Sequence, residues 1–263
     1  QFEADRLAAF AVRDDLEPAD GVGNYNQFWF DPGNKLSETN QTSLVIDPPS
    51  GRVPSLNGEA AEKQAAQRQA REGIDRHSPT YGGWVGDLGA GMFAVRCLLG
   101  FNSGPPMTPG GYNQNVQVLQ TPEEVVLVNE MVHSTRVIPL DGRPHVPEQL
   151  RQWMGDSRGH WEGDTLVVET TNFLRETSFR GGVTTADLHL IERFTRVSDG
   201  TMMYRVTVED PNAWDQPWTY QIPMVENTMP LYEYACHEGN YGLYNILAGA
   251  REEEAAAEAN TRD

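Results

Sequence analysis

The sequence predicts a mainly β protein, an antiparallel meander that closes into a barrel or curls into a strongly curved sheet, with a few peripheral helices. Three observations predict it. From Val116 onward the runs NVQVLQ, EVVLVNEMVHSTRVI, TLVVETTNF, DLHLIERFTRV and TMMYRVTVED are rich in β-branched and aromatic residues, which fit a pleated, half-buried surface. The separators Leu140-Asp141-Gly142-Arg143, Glu162-Gly163-Asp164 and Ser198-Asp199-Gly200-Thr201 carry hairpin chemistry, because Gly and Asp tolerate the positive φ of tight turns. No helix of crossover length lies between the runs, which disfavours parallel βαβ units and a dinucleotide fold.

Taken in order, residues 1–20 form an N-terminal docking segment, in which Phe2, Leu7, Phe10 and Val12 suggest a short amphipathic helix. The domain proper spans 21–248 and opens on GVGNYNQFWFDPG, a glycine-rich entry whose Tyr25, Phe28 and Trp29 suggest a first strand or an aromatic plug. Thr42 to Asp47 reads as a short strand stopped by Pro48 and Pro49, since proline cannot donate to a central ladder. Asn57 can cap a helical insertion near 58–72, rich in Ala, Glu, Gln and Arg and with little apolar surface. Gly82 to Gly91, with Trp84, is a loop, and 249–263 is a charged helical tail without an apolar stripe. Trp161, Trp214 and Trp218 each stand beside a turn and are expected to serve packing.

The chain has 263 residues, 38% of them hydrophobic, enough for a real core. Its formal charge of −18 excludes nucleic acid as a main partner, because phosphate binding needs a basic face. No apolar run approaches the ~20 residues of a membrane span. A small-molecule ligand or substrate is the expected partner, and a homo-oligomer is compatible with the composition. The sequence starts at Gln1 rather than Met, as a mature exported product would, giving a periplasmic or extracellular setting. Cys97 and Cys236 are the only cysteines, and an isolated pair in an exported chain reads as one disulfide, two buried thiols being the alternative.

Longer motifs add a resemblance. WEGDTLVVETTNF (161–173), ERFTRV (192–197), VEDPNAWDQPW (208–218) and EYACHEGNYGLYNIL (233–247), with TSLVIDPPSGRVP and IPLDGRPH, are similar to a family of uncharacterised exported bacterial proteins. The resemblance covers nearly everything after Gly21 and implies export but no activity. A looser likeness to lipocalin-type barrels rests on the architecture and on the Gly-aromatic-Trp first segment.

No GxSxG, HExxH, paired CxxC, Walker loop or dinucleotide GxGxxG occurs, so no cofactor and no metal is expected. The chemistry then falls to polar groups inside strand-like segments, which are costly to bury without partners. In a strand running on from Glu124, alternation puts Glu130 and Arg136 on one face, where they can pair or flank a ligand. In EYACHEGN, His237 and Glu238 adjoin the expected disulfide, a rigid anchor for an imidazole able to move protons. His237, Glu130, Arg136 and Glu238 are therefore the candidate catalytic residues, and His133, Tyr204 and Trp29 the candidate ligand contacts. Metal binding by His133, His145 or His237 has no supporting spacing.

Three functions fit. The first is a cofactor-independent acid/base enzyme, a lyase, isomerase or hydrolase acting on a small, partly aromatic molecule in a barrel cavity. The second is an exported binding protein for an apolar or aromatic small molecule. A structural or assembly subunit is the third.

Overall fold

The structure, a computed structural model, describes residues 4–5, 8, 41–74, 96–100, 102–174, 179 and 183–260. Most of the expected docking segment, the entry segment with Trp29 and the Trp84 loop lie outside the described residues.

The chain is mainly β, as the alternating runs require. The order is β1 (Val45–Asp47), α1 (Gly58–Ala70), β2 (Val116–Gln120), β3 (Glu124–Asn129), a 3-10 turn (Met131–His133), β4 (Thr135–Pro139), β5 (Asp156–Glu162), β6 (Thr165–Thr171), β7 (His189–Ser198), β8 (Thr201–Glu209), β9 (Trp218–Val225) and α2 (Tyr241–Asn260). Two sheets result, one of six strands in the order β1-β9-β8-β7-β6-β5 and one of three in the order β2-β3-β4. Every strand pairing is antiparallel. These strands do not form a closed barrel.

Asn57 caps α1 by accepting from the Ala60 N–H at 2.8 Å, satisfying one of the donors a helix start leaves open. The helical tail begins at Tyr241, before the expected boundary at Gly249, and runs to Asn260.

The long run from Glu124 is not one strand. It folds back on itself as a hairpin: Leu127 pairs with Arg136 and Val126 with Val137. Between the arms Val132 and His133 adopt φ of 58° and 41°, a left-handed conformation that is costly for a β-branched residue. The Asn129 N–H closes the turn on the Ser134 carbonyl at 2.8 Å. Strand parity from Glu130 to Arg136 is broken there, and the expected pairing of the two goes with it.

Both sheets share one core. Val125, Leu127 and Ile138 of the small sheet pack with Leu166, Val168, Leu190, Phe194, Tyr204, Val206, Val208 and Trp218 of the large one. Gly159 on β5 lets β4 come close, since a Cβ there would lie 2.8 Å from Ile138 Cγ2 and 2.9 Å from Leu140 Cδ2. Trp214 and Trp218 are buried as expected, but Trp161 is 45% exposed. It stands at the end of β5, past the reach of the core.

Cys97 and Cys236 are bonded, with Cα atoms 5.9 Å apart. The bond ties the segment before β2 to the one after β9. Among the described residues no helix is long and apolar enough to cross a membrane.

Candidate functional site

Arg136 finds its carboxylate across the core rather than along its own segment. Its guanidinium donates from Nη1 to Glu192 Oε2 at 2.6 Å and from Nη2 to Glu192 Oε1 at 2.9 Å, with both side chains buried. Such a two-pronged bond is the strongest geometry available to an arginine and a carboxylate. The Tyr204 hydroxyl donates to Glu192 Oε1 at 2.6 Å and accepts from the Met107 N–H at 3.0 Å. The Tyr220 hydroxyl donates to the Met107 carbonyl at 2.8 Å. Met107, in the segment before β2, thus has its backbone N–H and its carbonyl each held by a tyrosine hydroxyl beside a buried ion pair.

The electrostatics of this centre oppose proton traffic. Burial alone would lower the Arg136 pKa, but the Glu192 charge and hydrogen bonds outweigh it and hold the guanidinium above its ordinary value. Burial pushes the Tyr204 phenol well up, and the nearby Glu192 carboxylate pushes it further. Both groups keep their protons across the physiological range.

Glu130 is a separate buried carboxylate. It accepts from Asn115 Nδ2 at 2.7 Å and from the Tyr232 N–H at 3.4 Å, so its partners are neutral donors that tie the β2 entry to the segment after β9. His237 and Glu238 are exposed. The His237 ring lies beside that of His133, with centroids 6.3 Å apart and planes tilted by 53°, and His133 Nδ1 lies 3.0 Å from the Tyr234 carbonyl oxygen. The predicted residues therefore fall into three places: Arg136 with Tyr204 at the core, Glu130 in a hydrogen-bonded cage, and His133 with His237 at the surface. Trp29 lies outside the described residues.

Alternation reveals an open end of the interior that sequence reasoning missed. Trp161 pairs with Leu166, Leu166 with Phe194 and Phe194 with Tyr204, and cross-strand partners share a face. Trp161 therefore stands on the inner-face row that leads to Tyr204. Arg196 shares its strand parity with Glu192 and Phe194, and Gln120 pairs with buried Val125. At this end a depression of about 400 Å³ is lined by Gln120, Trp161, Gly163, Asp164 and Arg196. It offers an aromatic face, a cation, a carboxylate and an amide together. The signal in the sequence was WEGD, where an exposed indole precedes a tight turn at Gly163 with φ of 58°.

A further histidine is held against a buried carboxylate. His145 Nδ1 lies 2.8 Å from Asp156 Oδ2, while Arg158 donates to Asp156 Oδ1 at 2.8 Å and the Val146 N–H to Oδ2 at 3.1 Å. Asp156 is buried, so this arrangement fixes the imidazole tautomer.

No family model matches the chain, and neither a curated protein nor a solved structure matches it.

Proposed function

We propose that the protein is an exported binding protein for a small planar aromatic molecule carrying polar substituents, taken up at one end of the core between its two sheets. The observation that carries the reading is the exposed Trp161 on an inner-face position, with Asp164, Arg196 and Gln120 around the same depression. An indole offers a flat apolar face for stacking, Arg196 suits a carboxylate, and Asp164 and Gln120 suit hydroxyl groups. Ligand sites combine apolar walls with a few converging polar groups.

Binding is favoured over acid/base catalysis inside the sheet because Arg136 and Tyr204 hold their protons and neither His133 nor His237 belongs to that polar centre. The disulfide supports export, since such bonds persist in oxidising compartments. The test uses 4-hydroxybenzoate, which carries the ring, the hydroxyl and the carboxylate together, titrated while ligand saturation-transfer NMR is recorded. Wild-type protein should bind it, and Trp161→Ala and Arg196→Ala should each weaken binding at least tenfold with the melting curve unchanged. Equal affinity in all three proteins, or no binding by the wild type, removes the reading.

A further inference from the structure

We propose that His133 and His237 form a surface site for one divalent first-row transition-metal ion, with Cu²⁺ the tightest binder. The site is independent of the Trp161 depression: the β3-β4 hairpin that carries His133 is at the end of the small sheet away from Gln120.

The geometry fits two imidazoles sharing an ion. A metal–nitrogen bond of about 2.0–2.1 Å puts each ring centre roughly 3.2 Å from the metal, so two rings on one ion have centres between about 5 and 6.5 Å apart. The observed centroid separation is 6.3 Å with the planes tilted by 53°. His133 Nδ1 faces the Tyr234 carbonyl oxygen at 3.0 Å, which makes Nδ1 the protonated nitrogen and leaves the Nε2 lone pair for a ligand. Metal-bound histidines use this same bond from the second ring nitrogen to a carbonyl.

The scaffold around the pair is fixed at both sides. His133 stands on the hairpin turn with φ of 41°. His237 follows Cys236, which is bonded to Cys97, and the Cys236 N–H also donates to the Tyr234 carbonyl at 2.8 Å. One carbonyl thus links the two histidine segments. Among the described residues no group of three or more His, Cys, Asp or Glu side chains is placed to hold an ion, so water completes the coordination. Imidazole-rich, otherwise aqueous sites favour Cu²⁺ among these ions by intrinsic affinity, and the charge of −18 draws cations to the surface.

The experiment is a Cu²⁺ titration of the full chain followed by calorimetry and electron paramagnetic resonance. Wild-type protein should take up one equivalent with hyperfine coupling from two imidazole nitrogens. His133→Ala and His237→Ala should each weaken that binding at least tenfold, while His160→Ala, an exposed histidine outside the pair, leaves it unchanged. Intact mass with and without reductant verifies that each variant keeps the Cys97–Cys236 bond. The proposal is overturned if wild-type protein shows no two-nitrogen signal, or if correctly bonded His133→Ala and His237→Ala proteins bind as tightly as wild type.

Discussion

Arg136 and Arg196 occupy equivalent inner-face positions on strands of the two sheets, yet their surroundings differ completely. Arg136 is 7% exposed and locked by both nitrogens onto Glu192. Arg196 is 71% exposed and donates to Asp199 at 3.0 Å, a contact that water competes with and that adds little stability. The same pair of environments recurs for tryptophan, with Trp218 in the core and Trp161 at the open end. Distance along the strand, rather than residue type or parity, separates a group that holds the fold together from one that is available to a ligand.

The sharpest way to break this comparison is to truncate the buried arginine. Arg136→Ala strands the Glu192 carboxylate in the core and should destabilise the protein by about 3–5 kcal/mol in urea unfolding. Replacing both partners, Arg136→Met with Glu192→Leu, should recover much of that loss, and a double variant no better than the single one would show that the charge is not the cause.

Trp218→Ala should cost nearly as much, about 3–5 kcal/mol by loss of packing, because its ring is buried between Trp214, 5.6 Å away, and Tyr220, 5.7 Å away. Thermal melts measure it, and an unchanged midpoint would refute the burial. Tyr204→Phe removes a hydroxyl that serves Glu192 and Met107 together, for an expected loss of about 1–3 kcal/mol.

A smaller effect is read in alkali. The Tyr204 pKa is raised by folding, so its contribution to stability is full below the ordinary tyrosine value near pH 10 and is lost as pH climbs from there toward the raised value. Denaturant midpoints measured between about pH 9 and 11 should fall less steeply in Tyr204→Phe than in wild type. The smallest stability changes belong to the open end: Arg196→Ala and Trp161→Ala should each lie within about 0.5 kcal/mol of wild type. A larger loss would place those residues with the core instead.

Much of the fold was legible because it follows from period and turn chemistry. The strands at 116–120, 165–171 and 201–209 lie within the alternating runs, that at 189–198 runs one residue past its run, and Asn57 caps its helix. What was hidden has physical reasons. The turn at Met131–His133 contains neither Gly nor Pro, so nothing local announces that Val132 will take a left-handed angle, and alternation alone puts Glu130 and Arg136 on one face of a single strand. β5, with Gly159 and mostly polar residues, lacks the usual strand composition, and β9 is interrupted by Pro223. β5 is placed by the tight hairpin that joins it to β6, and β9 by pairing with β8 on one side and with the distant β1 on the other. Glu192 was legible as an inner-face residue, but its partner was not, since a bond across the core is written in the curvature of the sheets.

Gly159 shows how little room that curvature leaves. At this crossing the two sheets touch so closely that one methyl group on Gly159 would collide with Ile138 and Leu140, and Arg136 reaches Glu192 at 2.6 Å only while the sheets stay in contact. A Gly159→Ala substitution acts as a spacer: it enters among hydrocarbon side chains, yet its effect is felt by two charges on other strands. Part of the charge balance of the interior is therefore governed by the thickness of an uncharged seam, and a residue with no side chain acts as its hinge pin.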